Sequence, residues 1–426
     1  MRLTRCDFEG VKQSRLFISI LIVLLFIPKI NLISVGTYEG AGVRIDDIII
    51  LLTAPLFCFI ICKKGSASQI EFYFLLFFLS IIVSHILNLP YSRGNLLYPL
   101  RIMEYWAFFY FGRFFGNKTR FLSMFSVFVI YSAILITAQY LELIGGYSDG
   151  IYKKILSKPT GSTNGSYEIS MVLALIFPIF FLYRNKNKIH AYFVITAFLI
   201  LLTQSRTALV MIGSSYLFWL IFLNNSRFVT RFITIGSIFG LAYFVTIENN
   251  DLFVRFISLF TSDTYYALQE ITAMAPSQNP GDGNAEFSRQ QVLLKTGAVK
   301  SSLIETVSSS ADLSVMVRLN KWLWGFSSYL NQGLFYVIFG IGGGVLGNAL
   351  DGGLLRILIE FGLVGLALFF LFLSKIVKKL ASVEFVVVAT FLLGNLFIDY
   401  YLSYKVTSVF FLILGFLYTQ QNKNEN

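Results

Sequence analysis

Long apolar runs recur along this chain from residue 16 to residue 418, separated mostly by short charged connections. One helical crossing of a hydrocarbon core about 30 Å thick takes roughly 20 mostly apolar residues. Twelve runs are candidates: 16–35, 48–62, 72–87, 97–115, 121–143, 169–183, 190–203, 208–223, 228–247, 354–374, 385–397 and 406–418. Charged residues are only 13% of the chain and hydrophobic ones 56%, against roughly a quarter charged in a soluble domain. That excludes a soluble globular enzyme, a disordered chain and a disulfide-stapled secreted domain. The expected fold is an all-α integral membrane protein with about twelve transmembrane helices.

Basic residues set the expected orientation. Alternate connections carry Lys63 and Lys64; Arg113, Lys118 and Arg120; Arg184, Lys186 and Lys188; Arg227 and Arg231; and Lys375, Lys378 and Lys379. Arg2, Arg5, Lys12 and Arg15 precede the first run and Lys423 follows the last, so both termini are expected in the cytoplasm. The net charge of +11 is then the signature of topology and needs no nucleic-acid partner. The first run reads as a signal anchor, being long enough to span and followed by further runs. Cys6, Cys58 and Cys62 fall on or near the cytoplasmic side, which implies no disulfide framework.

Three parts follow: spans one to nine in 1–247, a large external loop in 248–352, and spans ten to twelve in 353–426. The loop is polar and turn-rich around Pro276 and Pro280. From 310 to 330 it tightens into a helical pattern, with Trp322 and Trp324 beside Lys321 suited to a membrane interface. The apolar stretch 333–347 is short and holds six glycines; it reads as re-entrant or as the closing part of the loop.

Ionisable groups are costly inside a bilayer, roughly 2.5–3.5 kcal/mol each at its centre, so each needs a partner or a purpose. Arg101, Glu104, Glu168, Arg206, Asp351, Arg356, Glu360 and Asp399 all fall in the external half. Chemistry or binding is therefore expected at the outer leaflet. The stretch 189–223 supplies roughly 52 Å of helix, less than the roughly 60 Å two crossings require. The turn Thr203-Gln-Ser-Arg-Thr207 is thus expected below the external surface. Either an anionic ligand such as phosphate or a salt bridge to Glu168 or Asp351 would meet the need of Arg206 there. Arg356 and Glu360, four apart, read as a self-neutralising pair. Asp46 and Asp47 read as a helix cap. His85 and His190 lack metal-ligand spacing, so no zinc site is expected. Thr160-Gly-Ser-Thr-Asn-Gly-Ser166 fits a turn and cap or a phosphate or sugar contact at a helix N-terminus.

Taken in order, these segments resemble the O-antigen polymerase (Wzy-type) and O-antigen ligase superfamily of bacterial envelope-polysaccharide enzymes. The resemblance rests on twelve spans with both ends inside and a large loop between spans nine and ten. It rests also on Gly161-Ser-Thr-Asn164, on Leu202-Thr-Gln-Ser-Arg-Thr-Ala208, and on Arg318-Leu-Asn-Lys-Trp322 followed by Gly340-Ile-Gly342. The last element is Asp351-x₃-Leu-x₄-Glu360-x-Gly362-Leu-Val-Gly365.

The resemblance implies a bacterial inner-membrane enzyme with a periplasmic site, acting on glycans carried by undecaprenyl diphosphate. It implies no cofactor and no metal, because positioned arginines can stabilise the leaving diphosphate. Arg206 and Arg318 would hold that group, and Arg101, Glu168, Asn164 and Arg356 are further candidates for lining the site. The ligases place a histidine nine residues before Glu-x-Gly, where this chain has Asp351. That departure favours polymerase over ligase and leaves Asp351 as the candidate base, with a helix cap as its other reading. A flippase, the reading from another class, would require charges along the whole path and matched halves. Partners implied are lipid-linked repeat units, membrane lipid and a chain-length regulator.

Overall fold

The computed structural model describes residues 31–34, 42–44, 69–88, 97–115, 117–148, 151–154, 158–163, 165–183, 186–223, 236, 318, 321–323, 325–326, 329–330, 332–344, 350–377 and 382–424. The run expected at 48–62, all of 228–247 but residue 236, most of 16–35 and most of the 248–352 loop lie outside the described residues.

Strands β1 (Asn31–Ser34) and β2 (Gly42–Arg44) come first, followed by helices α1 (Gln69–Leu87), α2 (Leu97–Phe114) and α3 (Lys118–Tyr140). After β3 (Gly146–Ser148) and β4 (Ile151–Lys154) comes α4 (Ser166–Ile176), continued by a 3-10 turn, Phe177–Leu182. Next are α5 (Lys186–Leu202) and α6 (Arg206–Phe218), the latter running into a π turn at Trp219–Leu223. The chain is described again at α7 (Leu334–Phe339), α8 (Gly353–Val377) and α9 (Ser382–Phe397). A 3-10 turn, Tyr400–Leu402, leads into α10 (Tyr404–Asn424).

The runs expected as spans three to eight and ten to twelve are all helical. Two antiparallel hairpins depart from the all-α expectation: Asn31 pairs with Arg44, and Gly146 with Lys154. The first takes residues 31–34 from the run expected to reach 35. Pairing satisfies backbone groups of these short segments.

Among the described residues, four helices are long and apolar enough to cross a membrane: Ile70–Leu87, Lys118–Tyr140, Arg206–Leu223 and Gly353–Val377. Ser166–Leu182 and Phe385–Phe397 are shorter apolar helices. Phe72, Leu75, Leu79, Val83 and Ile86 on α1, and Val127, Ile130 and Ile134 on α3, are exposed at helical spacing. Such stripes are a liability in water and match a lipid environment. These are the features of a helical membrane protein.

Two glycines bring α2 and α10 into backbone contact. A Cβ on Gly112 would lie 2.0 Å from the Leu412 carbonyl oxygen, and one on Gly415 would lie 1.9 Å from that of Phe109. Small residues allow this approach between apolar helices. Around it, Trp106 stacks on Phe74 at 4.0 Å and on Phe109 at 4.5 Å, and Phe121 stacks on Phe416 at 3.8 Å. Gly415→Val is expected to force the two helices apart and destabilise the protein by at least the roughly 1–3 kcal/mol typical of overpacking. A fluorescence melt in detergent checks this; an unchanged midpoint would refute the contact.

Helix α8 is broken at Gly362, whose φ of 71° and ψ of −174° leave the helical region. The break frees carbonyls that other segments then satisfy, as apolar surroundings demand. Ile341 N–H donates to Ile359 O and Gly342 N–H to Glu360 O, each at 3.0 Å. From α1, the Ser84 hydroxyl also donates to Glu360 O, at 2.6 Å. Within the stretch 333–347, read as re-entrant or as the closing part of the loop, residues 334–339 form a six-residue helix, α7, rising about 9 Å, and the residues after it turn back onto the break.

Candidate active site

The turn 350–352 precedes α8 and is held from below by Asp399, at the end of α9. The Asp399 carboxylate accepts the backbone N–H groups of Leu350 (2.9 Å), Asp351 (3.3 Å) and Gly352 (2.8 Å). It also receives Arg356 Nη1 at 3.0 Å, while Arg356 Nε donates to Glu360 Oε1 at 2.9 Å. Glu360 takes two more donors, Gly344 N–H at 3.0 Å and the Tyr401 hydroxyl at 3.2 Å. Arg356 and Glu360 are 1% and 0% exposed. Burying one cation with two carboxylates is tolerated because Arg356 donates to both carboxylates and each carboxylate accepts further donors.

Asp351 itself faces the other way. Its backbone has φ +58°, unusual for a non-glycine residue. Its carboxylate lies 3.7 Å from Arg318 Nε and 3.9 Å from Lys321 Nζ, all three side chains part-exposed. These separations exceed hydrogen-bond reach. The large loop docks here through Trp322, whose indole N–H points at the carbonyls of Leu350 and Asp351, 3.0 Å from each.

A second half is built from residues 160–168. Gln139 of α3 reaches over the turn: its Oε1 accepts from Thr160 N–H (2.9 Å) and Gly161 N–H (2.7 Å), and its Nε2 donates to Gly161 O (3.1 Å). Buried Lys405 donates to Ser162 O at 2.7 Å and to Ser162 Oγ at 3.1 Å. Glu168, in the first turn of α4, accepts the Ser403 hydroxyl at 2.8 Å. Two residues further on, the Ser170 and Thr203 hydroxyls are 2.6 Å apart, which ties the α5–α6 turn to α4. Arg206 opens α6 directly after that turn.

The halves meet at Tyr400. Burial holds its phenol well above the ordinary range; Tyr167, Glu168 and Asp351 push the same way, and Arg318 opposes them. Groups from α4, the large loop and the turn before α8 therefore act on one buried hydroxyl. The exposed Tyr167 ring lies beside it, centroids 6.4 Å apart.

Of the residues expected from sequence, Asp351, Arg318 and Glu168 lie around this point. Arg356 sits behind the turn as a buried strut, not on the lining, and its pairing with Glu360 is as expected. The Asp351 carboxylate is directed at Arg318 and Lys321, and the N–H groups of the turn 350–352 are taken by Asp399. Asn164 and the side chain of Arg101 lie outside the described residues. Sequence reasoning assigned no site role to Lys321, Asp399, Lys405, Ser403 or Gln139. A signal was present in the alternation Asp399, Tyr401, Ser403, Lys405 between two apolar runs. Among the described residues, no three His, Cys, Asp or Glu converge as a metal-holding set.

No known family model matches the chain, and no curated protein is significantly similar to it.

Proposed function

We propose that this protein is a polysaccharide polymerase of the bacterial inner membrane, with about twelve spans, both termini cytoplasmic and its site at the periplasmic face. It transfers a growing glycan from undecaprenyl diphosphate to a sugar hydroxyl of a new lipid-linked repeat unit. The observation that carries this reading is a part-exposed carboxylate, Asp351, opposite two cations, Arg318 and Lys321, on a turn fixed from behind by a buried charge network.

The acceptor oxygen attacks the anomeric carbon while the bond from that carbon to the diphosphate oxygen breaks. The bonding pair leaves with the diphosphate, whose growing charge Arg318, Arg206 and Lys321 stabilise. The acceptor proton passes to Asp351. Attack opposite the departing group inverts the anomeric centre.

The test is a gel of surface lipopolysaccharide from a strain lacking the gene. Core carrying a single repeat, with the ladder gone, is the expected result. Unmodified core alone would transfer the assignment to a ligase or a flippase, and an intact ladder would remove the protein from the pathway.

A further inference from the structure

Residues 398–403 join α9 to α10, and from Asp399 to Lys405 in the first turn of α10 every second side chain grips a different part of the site. Asp399 holds the 350–352 turn, and Tyr401 holds Glu360. Ser403 holds Glu168, and Lys405 holds Ser162. We propose that Asp399 is a positioning residue that acts through Asp351, setting the turn so that the Asp351 carboxylate faces Arg318 and Lys321. This rests on the proposed role of Asp351 as base.

Three successive N–H groups converging on one carboxylate make an anion nest, here filled by the protein's own side chain. The turn needs that support. Asp351 sits at φ +58°, a conformation that persists where its surroundings over-determine it. Asp399 is itself immobilised, being 8% exposed at the side chain and held by Arg356 at 3.0 Å. Arg356 is anchored in turn by Glu360, and Glu360 by Gly344 N–H and Tyr401. The chain of contacts runs from the break in α8 to the carboxylate that faces the cations. Asp399 shares no role with the reacting atoms; it fixes where Asp351 stands.

Asp399→Asn is the informative change. One amide oxygen replaces two carboxylate acceptors, so at least one turn N–H loses its partner. Arg356 keeps Glu360, which leaves the buried cation compensated. Wild type, Asp399→Asn, Asp351→Asn and the double variant are purified and assayed with lipid-linked repeat units extracted from a strain lacking the gene. Asp399→Asn should lower kcat roughly 10- to 100-fold, the scale of a 1 Å misplacement, with KM within about twofold. In the Asp351→Asn background it should cost nothing further, since the two act as one unit.

Amide hydrogen exchange of the peptide covering 350–352 supplies a readout independent of activity. It should quicken about tenfold or more in both variants carrying Asp399→Asn, and not in Asp351→Asn alone. Wild-type exchange and kcat in Asp399→Asn would overturn the proposal. So would an equal loss in both backgrounds, which would make Asp399 a general support. If Asp351→Asn is fully active, the base assignment falls, while exchange still decides whether Asp399 holds the turn. Should Asp399→Asn fail to accumulate, Asp399→Glu keeps the charge and displaces the acceptors; a wild-type kcat there would equally overturn it.

Discussion

Arg318→Ala is expected to abolish the polymer ladder while the protein remains in the membrane at its normal level. Removing one positioned donor from a developing oxyanion typically lowers turnover about 10²–10³-fold, or roughly 2.7–4 kcal/mol. The stability effect should be small. Arg318 meets Asp351 at 3.7 Å with both side chains part-exposed, and pairs of that kind are worth about 0–1 kcal/mol. Arg318→Lys separates charge from geometry: it retains the cation and loses the planar fork that matches phosphate oxygens. An intermediate rate is expected, with Lys321 at 3.9 Å from the same carboxylate supplying part of the field. Arg206→Ala should give the same ladder loss. Its turn is tied to α4 through Thr203 and Ser170, and that tie is untouched by the substitution. Wild-type chain length in either alanine variant would end the diphosphate role.

Asp351→Asn should slow transfer about 10²–10⁴-fold, the usual contribution of a positioned general base. This substitution is unusually clean here. Asparagine tolerates positive φ better than most residues, so the backbone at φ +58° is preserved. The three N–H groups of the turn are held by Asp399, not by the side chain being changed. What disappears is the negative charge facing Arg318 and Lys321, and with it the ability to take a proton. Full turnover in this variant would remove Asp351 from both proton transfer and charge stabilisation and leave it a purely structural part. Measured rates should be compared at saturating lipid-linked repeat, because loss of a base lowers kcat and leaves KM nearly unchanged.

Much of the helical layout was legible in the sequence because run length is a local property. The apolar stretches 72–87, 121–143 and 354–374 became α1, α3 and α8. The shortness of 189–223 was legible too: α5 and α6 are joined by only three residues, with Thr203 fully buried. Strand pairing at β1–β2 and β3–β4 was missed, since three or four residues carry too little periodicity to signal a strand. The break in α8 was missed for a different reason. Gly362 lies inside an apolar run where one glycine is ordinarily tolerated. Its departure from helix depends on α7 arriving to satisfy the freed carbonyls.

The candidate site divides along the same line. The sequence by itself determined a helical membrane protein, and it singled out Asp351, Arg318, Glu168 and Arg206 as site candidates. It could not assign those charges their parts. Asp351 and Asp399 are both aspartates at the margin of an apolar run, yet one faces two cations and the other is enclosed by three N–H groups and an arginine. Arg356 and Arg318 differ in the same way, one a buried strut and the other part-exposed. Such differences arise from partners distant in sequence: Asp399 to Gly352, Lys405 to Ser162, Ser403 to Glu168. Only the tertiary structure decided them, because the role of a charge depends on which donors and acceptors meet it, and those are brought together by helix packing.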